Sequence, residues 1–267
     1  MPSLDGSKPF TSPMPSIHVP NLQHFIGPQI VALAVVPGSR TSHIVVSWEL
    51  GGNINFAEGF ATLARPNADV LDIHSMIWTW DTTLLSAITN SMPKITDLFI
   101  RTVSPLDVGS DEKEAFFTFM DGTLRALPCL TTASILQGFR LFPGGVNADD
   151  LDWEFDTVRR WGEISPTLTC ARLPSETLWA RIRGNIWFPG NESSNRDDML
   201  VRVKWFLIKV LTSEELDEDY DLIAYAVAGE DTVLALRQAI DLHGSVPEFI
   251  LTQKEAGELG MQIVFVE

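Results

Sequence analysis

The 267-residue sequence predicts an α/β protein: an irregular solenoid with one parallel sheet, helices packed along one side of it, and a mixed C-terminal cap. Three observations carry this expectation. A short phrase returns four times, as Val19-Pro20-Asn21-Leu22, Met92-Pro93-Lys94-Ile95, Leu127-Pro128-Cys129-Leu130 and Ser165-Pro166-Thr167-Leu168, and each copy precedes a brief apolar run. A turn-setting proline therefore introduces a strand again and again. Weaker copies at 42–48 and 66–73 fill the wide first gap, so units of some 24 to 38 residues stack as in repeat proteins. Between the strands lie segments with helical apolar spacing, and a strand–helix–strand crossover returns the chain beside its last strand.

Taken in order, residues 1–18 are a Ser- and Pro-rich lead-in expected to be flexible. Strands follow at 22–27, 29–36 and 43–50, then a helix from Phe56 to Leu63, whose Phe56, Phe60 and Leu63 share a face, and a strand at 69–74. Asp81-Thr82-Thr83 supplies capping chemistry for a helix that buries Leu84, Leu85 and Ile88 and stops before Pro93. After the strand at 95–101, Phe116, Phe117, Met120, Leu124 and Leu127 mark the next helix, followed by a strand at 130–136. A loop at Phe142-Pro143-Gly144-Gly145 leads to a helix from Ala148 to Glu163 and a strand at 168–173. The repeating region is thus 19–175. The cap, 176–267, comprises a hairpin turning at Arg183-Gly184-Asn185, helices at 197–212, around Ile223 and after Asp231, and closing strands at 248–252 and 261–266.

Composition narrows the function. With 45% hydrophobic residues the chain can bury a core without a metal or a disulfide framework, and no cofactor is called for. Net charge is -16, and no basic run exceeds Arg159-Arg160, which argues against nucleic acid and anionic membranes as partners; the acidic surface reads first as a source of solubility and second as a means of steering a basic polypeptide. The N-terminal segment has neither the basic start nor the apolar centre of a signal peptide, and Leu200–Leu211 is short for a bilayer and carries Arg202, Lys204 and Lys209. Cys129 and Cys170 read as reduced thiols, so a cytoplasmic or nuclear, non-secreted protein is expected, in which the Asn191-Glu192-Ser193 sequon has no role.

The stretch Val158-Arg159-Arg160-Trp161-Gly162-Glu163-Ile164-Ser165-Pro166-Thr167-Leu168-Thr169-Cys170-Ala171-Arg172-Leu173-Pro174, followed by Trp179 and Trp187, resembles the divergent leucine-rich-repeat regions of F-box-like proteins abundant in mushroom-forming fungi. The likeness spans most of 19–212. It implies a leucine-rich-repeat-like solenoid and a protein-recognition role like that of the substrate-binding part of an F-box-like receptor. Residues 1–18 hold no counterpart of the F-box helix bundle, so a Skp-type adaptor is not an expected partner, and no Asn or Cys ladder stands at a fixed position of the repeat turn. An irregular α/β domain without true repeats is the alternative fold.

Enzyme signatures are missing from the sequence. His18, His24, His43, His74 and His243 show no pairing at metal-ligand spacing, so no metal site is expected. The carboxylates Asp149, Asp150, Asp152, Glu154 and Asp156 lack calcium-loop spacing and are assigned to the N-terminal half and solvent face of their helix. Neither cysteine adjoins a basic motif, no glycine-flanked serine elbow occurs, and no phosphate-cradling loop is present. The tryptophans are expected in the core, except Trp78 and Trp80, whose alternation puts both rings on one face near a loop.

With the repeat pattern Leu-x-x-Leu-x-Leu, residues 95, 98 and 100 point inward and the alternating positions outward. The same offset along the strands gives one candidate partner-binding strip: Asp72, His74, Asp97, Phe99, Arg101, Thr132, Ser134 and Arg172, with Cys170 beside it. Its mixed chemistry suits a protein or peptide ligand. Two other readings stay open: a hydrolase or other small-molecule enzyme on an irregular α/β fold, which requires an enclosed pocket with convergent titratable groups, and a purely structural interaction protein.

Overall fold

In a computed structural model the described residues are 16–48, 54–64, 70–103, 110–138, 148–190, 196–213, 216 and 218–243. Their elements run β1 (His24–Pro28), α1 (Gln29–Val35), β2 (His43–Ser47), α2 (Phe56–Leu63), β3 (Asp72–Ile77), α3 (Thr82–Ser91), β4 (Asp97–Thr102), α4 (Ser110–Ala126), β5 (Thr132–Gln137), α5 (Ala148–Ile164), β6 (Cys170–Arg172), β7 (Leu178–Arg183), β8 (Ile186–Gly190), α6 (Arg196–Thr212), α7 (Glu218–Ala228) and α8 (Glu230–His243). The eight strands form one sheet in sequence order, parallel from β1 to β6 and antiparallel through β7 and β8.

Each proline phrase folds as a turn. The amides of Leu22, Ile95, Leu130 and Leu168 donate to the carbonyls of Val19, Met92, Leu127 and Ser165 over 3.1, 3.4, 3.1 and 3.1 Å. Proline takes the second position, where its fixed φ fits and its missing N–H is not needed. Ile95, Leu130 and Leu168 are fully buried, and each strand starts two residues later. The residue just before each strand then ties one unit to the next. The Gln23 carbonyl accepts from the amides of Ser42 and His43, that of Ser42 from Leu71 and Asp72, and that of Leu71 from Thr96 and Asp97. Thr96 accepts in turn from Thr131 and Thr132, and Thr131 from Thr169 and Cys170. The hydroxyls of Thr96, Thr131 and Thr169 add a third donor to the carbonyls of Leu71, Thr96 and Thr131, at 3.1, 3.1 and 3.2 Å. A threonine ladder therefore stands where the sequence lacks a fixed Asn or Cys.

Inside, alternate strand residues such as Ile44, Ile73, Leu98, Ile100, Ala133 and Ala171 are buried and share one apolar core with Phe60, Leu84, Leu85, Phe116, Leu124, Phe155 and Trp161 of the helices. The expected cap forms, the Asp81 carboxylate accepting from the Thr83 amide at 2.8 Å, and α2 has a cap not expected from the sequence, Asn55 Oδ1 accepting from the Glu58 amide at 3.1 Å.

Several expectations need correction. Residues 29–36, expected as a strand, form α1, because adjacent parallel strands require a crossover and Ala32 and Val36 bury one helical turn apart. β3 begins at Asp72, and β4, β5 and β6 also start about two residues late, since the turn and ladder residues precede pairing. Glu154 is not on the solvent face but buried at 1% exposure. Trp78 and Trp80 part company: Trp78 is exposed, whereas Trp80 packs on Phe116 with ring centroids 5.0 Å apart, because the chain leaves its strand at Ile77 and the alternation ends there. The expected strands at 248–252 and 261–266, the loop at 142–145 and most of the 1–18 lead-in lie outside the described residues.

The antiparallel hairpin β7–β8 joins the parallel part of the sheet and α5 through polar groups. Arg181 of β7 donates to the carbonyls of Gly162, Pro166 and Leu168 at 3.2, 3.0 and 3.2 Å, so its cation sits at the negative C-terminal end of α5. Trp179 Nε1 donates to Glu154 Oε2 at 2.9 Å, and Ser175 donates its amide and hydroxyl to the two Glu154 oxygens at 2.8 Å each. Phe155, Trp179, Trp205 and Tyr220 pack around this junction with ring centroids 5.5 to 5.8 Å apart.

Candidate functional site

The pairing register assembles the outward residues of the sheet into rows. The first runs His24–His43–Asp72–Asp97–Thr132–Cys170, the second Ile26–Val45–His74–Phe99–Ser134–Arg172, and the third Pro28–Ser47–Met76–Arg101–Leu136. All eight residues of the expected strip therefore share one face. Asp72, His74, Asp97, Phe99, Arg101, Thr132 and Arg172 are half-buried there, as neighbours about 4.8 Å apart in a parallel sheet shade one another. Ser134 is the exception. It is buried, with the larger Phe99 and Arg172 on either side of it in its row, so it is a floor of the face and not an exposed contact.

The face has a chemical gradient. At its N-terminal end, His43 Nδ1 and His74 Nε2 both approach the carboxylate of Asp72: His43 makes a short hydrogen bond to Oδ2, and His74 lies 3.1 Å from Oδ1. Oδ1 is buried and makes no well-aligned hydrogen bond despite that proximity. Burial works to raise the Asp72 pKa, but the two facing imidazoles of His74 and His43 outweigh it and hold the carboxyl below its usual range. Rings continue along the face: His24 lies 5.5 Å from His43, His43 5.1 Å from His74, and His74 stacks on Phe99 at 4.7 Å and 23°. Arg101 then places its guanidinium 5.6 Å from the Phe99 ring centre. Acid and imidazole thus give way to an aromatic and then to arginine within three strands. Beside Arg172, the Cys170 thiol is pushed up by burial, with Arg172 drawing it down and Asp97 raising it, so it is not a poised nucleophile.

His43 and His24 are not on the expected strip; a strand at 43–50 is expected from the sequence, and the same outward offset applied to it gives His43. Histidine spacing along the chain does not reveal this cluster, for a related reason. His43 and Asp72 are 29 residues apart, and only parallel register makes them neighbours; Asp72 and His74 carried the visible half of the signal, two ligand-type residues at i and i+2 of a strand.

Among the described residues, grooves also lie elsewhere, between helices. One of ≈ 740 Å³ is lined by Thr89, Glu114, Thr118, Phe119 and Thr123 of α3 and α4, and one of ≈ 700 Å³ by residues of α2 and α3 with Ile54 and Asn55. Among the described residues, Glu114 is the one ionisable residue in either lining. Both cysteines are free thiols, and no helix among the described residues is long and apolar enough to cross a membrane. No protein-family model, curated protein or solved structure matches this chain.

Proposed function

We propose that the protein is a non-enzymatic recognition scaffold, an irregular leucine-rich-repeat-like solenoid similar to the substrate-binding part of an F-box-like receptor, acting in the cytoplasm or nucleus. The observation that carries this reading is the outward face of β3 and β4, where carboxylate, imidazole, aromatic ring and guanidinium stand side by side on a rigid sheet. That mixture matches a polypeptide, which offers both charges and apolar side chains. Phe99 supplies an aromatic anchor and Arg101 a fork for a carboxylate, while Asp72 and Asp97 accept basic side chains. The four-residue turns and the threonine ladder, repeated from unit to unit, support the solenoid part of the reading. The small-molecule-enzyme alternative draws its support from the His43–Asp72–His74 cluster, which is on the open face and not in either helix-side groove.

A random-peptide display screen on the immobilised full chain tests the proposal. The expected outcome is a peptide consensus whose capture falls at least tenfold with Phe99→Ala or Arg101→Ala and is unchanged by Phe119→Ala on the helix side. Peptides that depend on Phe119 and ignore Phe99, or no enrichment at all, would overturn it. A Skp-type adaptor added to the same surface is expected not to bind.

A further inference from the structure

We propose that His43, Asp72 and His74 form a binding site for a zinc-like divalent transition-metal ion on the open face of the sheet, with His43 ligating through Nδ1, His74 through Nε2 and Asp72 through its carboxylate. One ligand atom from each residue lies within 4.8 Å of the others. Two atoms bound to the same tetrahedral zinc stand roughly 3.3 Å apart, given bonds of about 2.0–2.1 Å. The His74–Asp72 separation of 3.1 Å is close to that value, and the short His43–Asp72 contact lengthens when the metal replaces the proton between them. Small side-chain rotations bring the set to coordination distance, because the residues already share one face of paired strands.

Three features make this more than a hydrogen-bonded trio. Asp72 Oδ1 is buried and within reach of an imidazole nitrogen yet has no aligned hydrogen bond, a waste of a carboxylate lone pair that a cation would remove. Both imidazoles are buttressed, His43 by the His24 ring and His74 by the stacked Phe99 ring, which limits the rotamer freedom that metal binding must otherwise freeze. Asp97 is the register neighbour of Asp72 and adds a second negative charge beside the site. Two imidazoles and one carboxylate are a donor set suited to zinc and its neighbours and poorly suited to calcium or magnesium, which prefer oxygen alone. Three protein ligands leave a fourth position to water or to a side chain of a molecule lying on the face. This inference does not depend on the recognition reading, since the isolated chain is expected to bind metal with no partner present.

Zinc titration of the full chain against a competing chelator tests it. One zinc per chain is expected, with affinity falling at least ~100-fold in Asp72→Asn and in His74→Ala and unchanged in the exposed-site control His18→Ala. Nitrogen NMR of the wild-type histidines gives a readout that needs no variant: zinc should shift Nδ1 of His43 and Nε2 of His74, leaving the His18 nitrogens in place. Absence of saturable zinc binding, equal affinity in the His43→Ala/His74→Ala double variant, or shifts confined to other histidines would overturn the site.

Discussion

Asp72 on the open face of the sheet and Glu154 under the C-terminal cap are both carboxylates that accept from ring N–H groups, and their surroundings drive them in opposite directions. Asp72 keeps a quarter of its side chain in solvent, and two histidines hold it ionised. Glu154 is sealed between α5 and β7: burial, the largest effect, pushes its pKa up to about 6 against the lowering hydrogen bonds from Trp179 and Ser175. The lesson is one of division of labour. The parallel strands present charge outward toward solvent, and the junction with the hairpin consumes its polar groups in holding β7 against α5.

Substitution of each carboxylate is the sharpest way to break this comparison. Glu154→Ala strands the Ser175 amide and the Trp179 indole N–H in a dry site and should cost about 3 kcal/mol in denaturant unfolding. Asp72→Ala should cost less than about 1 kcal/mol, the range of solvent-accessible pairs. Equal losses would mean that the open face is as structural as the junction.

The pH dependence separates the two groups by sign. Because the folded pKa of Glu154 is raised above its ordinary 4.5, its stabilising contribution is complete below pH 4.5 and is lost as pH rises through about 6, by about 2 kcal/mol. Glu154→Gln should remove that loss. The lowered pKa of Asp72 works the other way, contributing stability above its ordinary 3.8 that disappears as pH falls through its folded value. Urea midpoints between pH 3 and pH 7 for wild type, Glu154→Gln and Asp72→Asn check both directions.

A smaller effect probes how tightly the cap is seated. Gly162 lies in α5 where a Cβ would stand 2.0 Å from Asn185 Oδ1 and 2.7 Å from Trp187 Nε1. Gly162→Ala would displace the Asn185 side chain that accepts from Trp187 and donates to the Arg159 carbonyl, both at 3.0 Å. A loss of about 1–2 kcal/mol is expected despite alanine's better helix propensity. A stabilised Gly162→Ala variant in a thermal melt would mean that hairpin and helix are not in close contact.

Much of this architecture was legible in the sequence because it is local. Proline at the second turn position, Asp81 at a helix start, and period-two or helical apolar spacing each act within a few residues, and they placed α2, α3, the hairpin and the inward residues of β4. What stayed hidden depends on register or on satisfied burial. His43 meets Asp72 only across paired strands, Glu154 looks like a surface acid until Ser175 and Trp179 fold back on it, and the 29–36 segment has the β-branched composition of a strand but must cross over between parallel neighbours. The threonine ladder was equally invisible, since Thr96, Thr131 and Thr169 matter through the carbonyl of the preceding unit.

The central claim, that the outward row of β4 is for recognition and the inward row for stability, is tested most directly by one paired measurement on Leu98→Ala and Phe99→Ala: urea unfolding and capture of the displayed peptide, variant by variant. Leu98 is buried at 1% exposure and its truncation should cost about 2–5 kcal/mol with peptide affinity kept in the folded fraction, whereas Phe99→Ala should lose less than half that stability and at least tenfold in affinity. A Phe99→Ala chain that melts early and still holds the peptide, beside a Leu98→Ala chain of wild-type stability, would contradict it.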